Sequence, residues 1–192
     1  MAEISDLRAY ERERESFRHS IIELKKRRWV QVGPVVTLLF ENRETIRFQV
    51  QEMARAERML DDAQIQAELD IYNPLLPEPG QLSATLFVEL TSQQEMGEWL
   101  PKLVGIESMI AFELDGRENI LGQPEAAHAA QLTKEEVTAS VHYVQFHLTP
   151  SQVERFGSAE VVLAAVHPNY QYKTVLAPQA KKELLQDLEA DT

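Results

Sequence analysis

The chain has 192 residues, of which 19 are lysine or arginine and 31 are aspartate or glutamate, giving a formal net charge of −12. It contains no cysteine, which excludes disulfides, thiol nucleophiles, zinc–thiolate sites and an iron–sulfur cluster held by the chain itself. The charge is uneven: residues 1–30 hold eight basic and six acidic side chains, and the rest of the chain carries the net negative charge. Such an acidic surface repels phosphate backbones, so we expect no nucleic-acid binding.

The N-terminus is charged from its start and lacks the apolar core of a secretory signal, and the longest apolar runs have six residues. A helical membrane span requires roughly 20 apolar residues. We therefore expect a soluble cytoplasmic protein with no membrane partner. The missing cysteines fit the reducing conditions of that compartment.

The first half of the chain is predicted to begin with one long helix. Apolar residues recur at spacings of three, four or seven between Leu7 and Leu24, which predicts a helix over residues 5–28 with Ser5 as its N-cap. The Lys25-Lys26-Arg27-Arg28 run at its end is interpreted as cations that the helix dipole favours. The alternatives are a contact with an acidic surface and a basic recognition patch.

A short strand and two further helices complete this half. The strand is predicted over residues 35–40 and the first of these helices over residues 43–60. Asp61 or Asp62 caps the next helix, which Asn73-Pro74 ends.

The segment PEPGQ (77–81) is the clearest linker in the chain. It divides a helical part, residues 1–76, from a sheet part, residues 82–192, and the two parts either stay separate or pack as one unit. In the sheet part, strands are predicted over residues 83–90, 108–114, 138–148, 160–166 and 172–176, and helices over 92–103, near 125–131, after Thr149-Pro150, and over 178–189.

A weak internal repeat relates two segments of the sheet part. LFVELTSQQ (86–94) aligns with VQFHLTPSQ (144–152), and each is a strand that runs into a capped helix. A strand–helix–strand unit used twice suggests a ferredoxin-like βαββαβ arrangement, although chance use of the same strand-and-cap pattern explains the likeness equally well. The predicted fold class is α+β: N-terminal helices with one short strand, then a mixed sheet with helices.

No standard catalytic or cofactor motif is present, because the seven glycines form no phosphate loop and HExxH, GxSxG and EF-hand patterns are missing. We therefore expect no cofactor. The densest polar region follows the strand at 35–40, and a candidate polar site is assembled from it and from a histidine at a strand end. Its members are Asn42, Arg43, Glu44, Gln49, Glu52, Glu57 and His167.

Within this candidate site, Gln49 and Glu52 share a helix face and could point together into a cleft, where Glu52 would act as a general base or a ligand. Ion pairs between Glu52 and Glu57 and nearby arginines are the simpler interpretation. A binding site remains the alternative, because these residues lie where a strand meets a helix and the amides at a helix N-terminus can bind anions.

The histidines do not form an obvious metal set, so no metal site is assigned. His142 and His147 are five residues apart on one predicted strand and point to opposite faces, with His142 on the core side. His167 precedes Pro168-Asn169 at a strand end, where it either serves a site or hydrogen-bonds the turn. A non-haem metal site formed by Glu52, Glu57 and a histidine is a third option.

Three long segments carry a family resemblance: VGPVVTLLFENRETIRFQVQEMARAERM (32–59), IQAELDIYNPLLP (65–77) and LSATLFVEL (82–90). They resemble an uncharacterised bacterial family, the domain of unknown function numbered 3501. The family has no established activity, so no residue role is carried over. Its members tend to be encoded near rubrerythrin-like proteins and iron–sulfur oxidoreductases, and the resemblance therefore implies a partner of that kind.

Two functional hypotheses follow. The first is an accessory or protein-interaction component of a bacterial redox or oxidative-stress system, with a rubrerythrin-like or iron–sulfur protein as partner. The second is a small-molecule-binding protein or enzyme whose polar site lies between the two parts and includes Tyr72 or His167. The sequence leaves a homo-oligomer open.

Overall fold

The computed structural model describes residues 3–126 and 137–190, so the short helix predicted near residues 125–131 lies almost wholly outside them. The α+β class is confirmed. The described helices are α1 (Leu7–Arg28), α2 (Arg43–Ala56), α3 (Asp62–Tyr72), α4 (Gln93–Lys102), α5 (Pro150–Ser158) and α6 (Pro178–Glu189). The described strands are β1 (Trp29–Val32), β2 (Val36–Glu41), β3 (Gln81–Val88), β4 (Ile110–Leu114), β5 (Glu118–Leu121), β6 (Gln123–Pro124), β7 (Val141–His147), β8 (Val161–His167) and β9 (Tyr170–Val175).

The strands form two antiparallel sheets. The first sheet has the order β1-β2-β3-β7-β6 and the second the order β5-β4-β8-β9. The mixed sheet and the ferredoxin-like arrangement predicted from the sequence are therefore wrong. Each predicted strand–helix–strand unit places its first strand in one sheet and its second strand in the other, because its helix leads the chain from one layer to the next.

The internal repeat is visible in the topology. One unit is β3–α4–β4 and the other is β7–α5–β8; β3 pairs with β7 in the first sheet, and β4 pairs with β8 in the second. Each unit then continues into a hairpin, β4–β5 or β8–β9. Both helices have the N-cap that the aligned sequences predict, and in each the cap is part of a capping box, Ser92 with Glu95 and Thr149 with Gln152.

The core lies between the two sheets. Alternate residues of each strand point inward, and three phenylalanines meet there: the ring centroids of Phe112 and Phe146 are 4.7 Å apart, and those of Phe112 and Phe40 are 5.7 Å apart. Gly122 bends the chain from β5 in the second sheet to β6 in the first. A Cβ atom at this bend would lie 2.5 Å from Val144 Cγ1, so the close approach requires glycine.

The opposite side of the sandwich is closed by the turn between β1 and β2. Gly33 there has a φ of +75°, which favours glycine. The Tyr170 hydroxyl donates to the Val32 carbonyl at 2.7 Å and accepts from the amides of Val35 and Val36. One buried phenol thus joins the second sheet to the first.

A layer of helices covers the outer face of the first sheet, and all six residues of β2 are buried as a result. The sequence predicted one strand in this half. The additional strand β1 has only four residues and its burial alternates, so it is stable as a strand only through its pairing with β2. Since β2 also pairs with β3, the predicted helical part and sheet part contribute to one sheet.

The two ends of α1 are held by local and distant charges. Its N-cap is Asp6 rather than the predicted Ser5, because Asp6 Oδ1 accepts from the amides of Arg8 and Ala9, both at 3.0 Å. At the other end, Arg27 Nε donates a hydrogen bond to Glu183 Oε1 of α6 at 2.7 Å. The contact with an acidic surface that the sequence offered as an alternative for the basic run is therefore present within the chain.

Across residues 3–126 and 137–190, none of the helices is both long enough and apolar enough to cross a membrane.

Candidate functional site

The predicted polar site does not come together in the structure. Asn42 is the N-cap of α2. Its Oδ1 accepts a hydrogen bond from the Thr45 backbone amide at 3.0 Å, and the Asn42 backbone amide donates to Thr45 Oγ1. Arg43 is exposed and pairs with Glu3. Glu44 is exposed too and lies 3.7 Å from an Arg47 nitrogen. These residues begin α2 and tie the N-terminal segment to it.

Glu52 is committed to an interhelical network. Its carboxylate accepts a hydrogen bond from the Tyr10 hydroxyl at 2.6 Å and two from Arg14, each at 2.8 Å. The Arg14 hydrogen bond lowers the pKa of Glu52, burial opposes this, and Tyr10 lowers it further. A carboxylate held in this way joins α1 to α2 and is poorly suited to act as a base.

Glu57 and His167 lie elsewhere. Glu57 is exposed at the C-terminal end of α2. His167 is buried at the end of β8, where Nδ1 accepts from the Asn169 amide at 3.2 Å and Nε2 is 3.1 Å from the Val104 carbonyl, which assigns the proton to Nε2. Nδ1 thus serves the turn, and Nε2 holds the segment after α4 to the end of β8. No cluster of three metal-ligating side chains occurs in the described part of the chain.

A different site lies between the helical layer and the outer face of the first sheet, in a cavity of about 210 Å³ that we call the interlayer cavity. Its polar lining consists of Lys25, Glu41, Gln49, Tyr72, Thr85 and Tyr143, and its apolar lining of Leu39, Ile46, Leu75, Phe87 and Val141. α1, α2 and the end of α3 supply one wall, while β2, β3 and β7 supply the other. Of the predicted site residues, Gln49 and Tyr72 are here.

Strand register sets the floor of the interlayer cavity. Thr85 lies opposite Leu39 on one side and Tyr143 on the other, so the three side chains share the face that the helices cover. The Thr85 hydroxyl donates to Glu41 Oε1 at 2.6 Å. Glu41 is only 8% exposed, which makes it a buried carboxylate at the edge of a cavity.

The Glu41 carboxylate forms no ion pair with any residue in 3–126 or 137–190. The nearest cation in the hydrogen-bond network is Arg28, but its Nη2 donates to the backbone carbonyl of Glu41, at 3.2 Å, and not to the carboxylate. Burial of a charge without a nearby opposite charge is costly, so this group favours a cationic partner.

Three further polar groups of the lining have unused hydrogen-bonding capacity. The side chains of Gln49 and Tyr72 make no hydrogen bond to the described residues, and Lys25 has no carboxylate partner there. The Lys25 ammonium instead lies 5.6 Å from the centroid of the Phe48 ring. Burial, followed by the nearby Tyr72 and Glu41, raises the pKa of Tyr143, so its phenol is neutral at neutral pH.

The sequence missed Lys25, Glu41, Thr85 and Tyr143 as members of one site. The signal that could have found three of them is alternation: polar residues recur on one face of strands that are otherwise apolar, at Glu41 in β2, Thr85 in β3 and Tyr143 in β7. Lys25 gives no such signal, because a cation in the last turn of a helix needs no partner.

Two larger grooves, of about 360 and 400 Å³, flank the N-terminal segment where it crosses α2 and α3. They are more open than the interlayer cavity, and the arginines in the first groove are already engaged. Arg43 pairs with Glu3, and Arg47 Nε donates to the Glu3 carbonyl at 3.0 Å. The cationic groups of the first groove are therefore paired, unlike Lys25 in the interlayer cavity.

A second polar cluster is enclosed within the sandwich. His142 Nε2 lies 2.7 Å from Thr138 Oγ1, and His142 Nδ1 lies 3.9 Å from Glu107 Oε2. All three side chains are buried, and His147 of the same strand is exposed, which confirms that the two histidines point to opposite faces. Burial lowers the pKa of His142, while Glu107 opposes that shift.

Comparisons with known proteins identify relatives but no activity. A family model described as a protein of unknown function, DUF3501, matches residues 1–188. A crystal structure titled a novel protein of unknown function from Burkholderia pseudomallei K96243 is 31% identical in sequence, covers 96% of each chain and superposes with a TM-score of 0.87. No curated protein matches the chain.

Proposed function

This chain belongs to the DUF3501 family, whose function is unknown, and we propose that it is a small-molecule-binding protein whose site is the interlayer cavity. The observation that carries the proposal is the convergence there of a buried carboxylate with an amide, a phenol and an ammonium group that have unused hydrogen-bonding capacity. Glu41 is buried and Gln49, Tyr72 and Lys25 are half-buried, and a cavity with an apolar lining and a few such polar groups suits a ligand.

The position of the cavity supports the same proposal. Ligand sites favour the boundary between structural layers, and they combine an apolar lining with a few placed polar groups. At about 210 Å³ the interlayer cavity is smaller than the sites of drug-sized ligands, which span about 300–1,000 Å³. The expected ligand is therefore a small metabolite.

Filling the cavity tests the proposal. A thermal-shift screen with a library of small metabolites is expected to give compounds that raise the Tm of the wild-type protein, because a ligand that binds only the native state stabilises it. Val141→Trp places a large side chain from β7 in the cavity and should abolish these shifts.

The matched control is Val166→Trp, the same substitution on an exposed position of β8 in the second sheet, and it should keep the shifts. The proposal is wrong if no compound stabilises the wild-type protein, or if compounds that do so stabilise the Val141→Trp variant equally well.

The role in a redox or oxidative-stress system stays a separate prediction, because it depends on the resemblance alone. Isolation of the tagged protein from its native host tests it directly. Recovery of a rubrerythrin-like or iron–sulfur protein would support that role, and its absence under crosslinking conditions would count against it.

A further inference from the structure

We infer that the ligand of the interlayer cavity is a small zwitterion that carries a protonated amine and an anionic group, as free amino acids do; this rests on the proposed function. The inference depends on two opposite charges that line one small cavity, Glu41 on β2 and Lys25 on α1, and that do not pair with each other.

Glu41 is the group that would bind the amine. Its carboxylate is buried, and the hydrogen bond from Thr85 leaves further lone pairs to satisfy. Ser83, directly opposite Glu41 in the register of β2 and β3, has a buried hydroxyl with no hydrogen-bond partner among the described residues. An ammonium group supplies both a positive charge and donors for the carboxylate lone pairs that Thr85 leaves free.

The aromatic lining suits the same end of the ligand. The Tyr72 and Tyr143 rings line the cavity together with Glu41, the Phe87 ring lines it four residues further along β3, and aromatic faces attract cations. Phe87 is held in place by stacking on Trp29, with 5.5 Å between the ring centroids. A preformed arrangement of rings and one carboxylate is a general means of binding an organic ammonium.

Lys25 determines that the ligand is not a simple cation. Its ammonium has no carboxylate partner in the described residues, and a ligand with only positive charge would be repelled by it. A ligand with only negative charge would in turn be repelled by Glu41. A zwitterion satisfies both, with its carboxylate toward Lys25 and its amine toward Glu41.

A metal ion is a poorer occupant. The cavity offers one carboxylate, and no three metal-ligating side chains cluster anywhere in the residues that the structure describes. Divalent cations in proteins take several oxygen ligands, commonly more than one of them charged.

Matched compounds test the charge requirement on the wild-type protein. We would first measure the binding of the free L-amino acids by calorimetry. For each amino acid that binds, we would then measure the binding of its N-acetyl derivative and of its decarboxylated amine. At least one amino acid is expected to bind. Its N-acetyl derivative, which lacks the ammonium, should bind at least ~10-fold more weakly, because a charge-assisted hydrogen bond is lost.

Two substitutions test which protein group binds the amine of the ligand and which binds its carboxylate. Glu41→Gln should weaken the binding of the amino acid at least ~10-fold. Lys25→Met should remove the preference for the amino acid over its decarboxylated amine. Glu44→Gln, the same chemical change on an exposed residue outside the cavity, should leave binding unchanged.

The outcomes separate this inference from the proposed function. If Val141→Trp abolishes the binding of neutral compounds and no amino acid binds the wild-type protein, the cavity is a site but the zwitterion inference is wrong. If every compound binds Val141→Trp and Val166→Trp equally well, the proposed function and the zwitterion inference are both wrong. Should Glu41→Gln fail to fold, the N-acetyl comparison on the wild-type protein still decides, since equal affinity of the two compounds overturns the inference.

Discussion

Arg28, the last residue of α1, is almost fully buried with its guanidinium between two structural layers. It donates to the Phe40 carbonyl at 2.8 Å and to the Glu41 carbonyl, and it forms an ion pair with Asp187 of α6. Burial raises the pKa of Asp187 while Arg28 opposes the shift, so desolvation of this pair is substantial. Removal of the cation alone would leave the partly buried Asp187 carboxylate without its ion pair and two carbonyls without the guanidinium donor.

Arg28→Met is therefore expected to lower the free energy of unfolding by about 3–5 kcal/mol, measured by urea denaturation. The control Arg27→Met removes a partly exposed ion pair with Glu183 and should cost at most about 1 kcal/mol. The double variant Arg28→Met/Asp187→Leu should recover part of the loss. Equal effects of the two single substitutions would show that burial of Arg28 does not matter.

His142 gives the fold a dependence on pH. Burial lowers its pKa in the folded state, so at a pH just below the ordinary value near 6.5 the unfolded chain binds a proton that the native protein does not. Stability is therefore full above that value and declines as the pH falls through it toward the lower folded pKa. Glu107 reduces the size of this effect without reversing it.

We expect the free energy of unfolding to fall between pH 7 and pH 5, and this decline to be smaller in His142→Gln, whose side chain does not titrate. His19→Gln, at an exposed position of α1, is the control and should keep the wild-type slope. Urea titrations at a series of pH values measure both. An unchanged slope in His142→Gln would assign the dependence to other groups.

At the scale of the element, the sequence predicted those features that are fixed by neighbouring residues. The N-caps of α4 at Ser92 and of α5 at Thr149 were predicted because a cap is a local feature, and α6 has the predicted bounds 178–189. β1 was missed because its four residues depend on pairing with β2. The division of the strands between two sheets was missed too, since strand partners are distant in sequence.

α3 is the least anchored of the described helices next to the interlayer cavity. It has no buried residue, whereas α2 has five. The segment that contains it is preceded by Arg58, a non-glycine residue with φ +53°, and ends near Gly80, with φ +73°. Tyr72 at its end, with Leu75 just beyond, lines the cavity, so opening of this segment would give a ligand access.

Hydrogen exchange should therefore be faster in α3 than in α2, because segments with few buried contacts open at lower free energy. Exchange read by mass spectrometry on peptides from residues 62–72 and 43–56 gives this comparison within one sample. A compound that binds in the interlayer cavity should slow exchange in the first peptide. Equal protection of the two helices in the unliganded protein would contradict the prediction.

On the scale of the whole molecule, the candidate site illustrates why a polar cluster in sequence differs from one in space. Asn42, Glu44 and Glu52 are close in the chain, but helical geometry directs them to a cap, to solvent and to α1. Glu41 and Tyr143 are about a hundred residues apart and are brought together by the pairing of β2, β3 and β7. Charge alone could not distinguish the two groups before the strand order was known.

The same pairing predicts that the chain unfolds as one cooperative unit. The sequence placed a linker at residues 77–81 between parts that either stay separate or pack together, and β2 of the first part pairs with β3 of the second. Inward residues of β2, such as Phe40, belong to the core shared by both sheets. Residues 1–76 alone would expose that apolar edge, and we expect this fragment to be unfolded in isolation.

The two tryptophans test cooperativity in the full chain, because one lies on each side of the proposed boundary. Trp29 in β1 stacks on Phe87, and Trp99 in α4 packs against the Tyr170 ring with 6.0 Å between the centroids. Trp29→Phe and Trp99→Phe each leave a single tryptophan. Within each variant, the urea midpoint measured by fluorescence should equal the midpoint measured by circular dichroism. Distinct midpoints for the two probes within one variant would indicate that the parts unfold separately, and the interlayer cavity would then be a boundary between independent units.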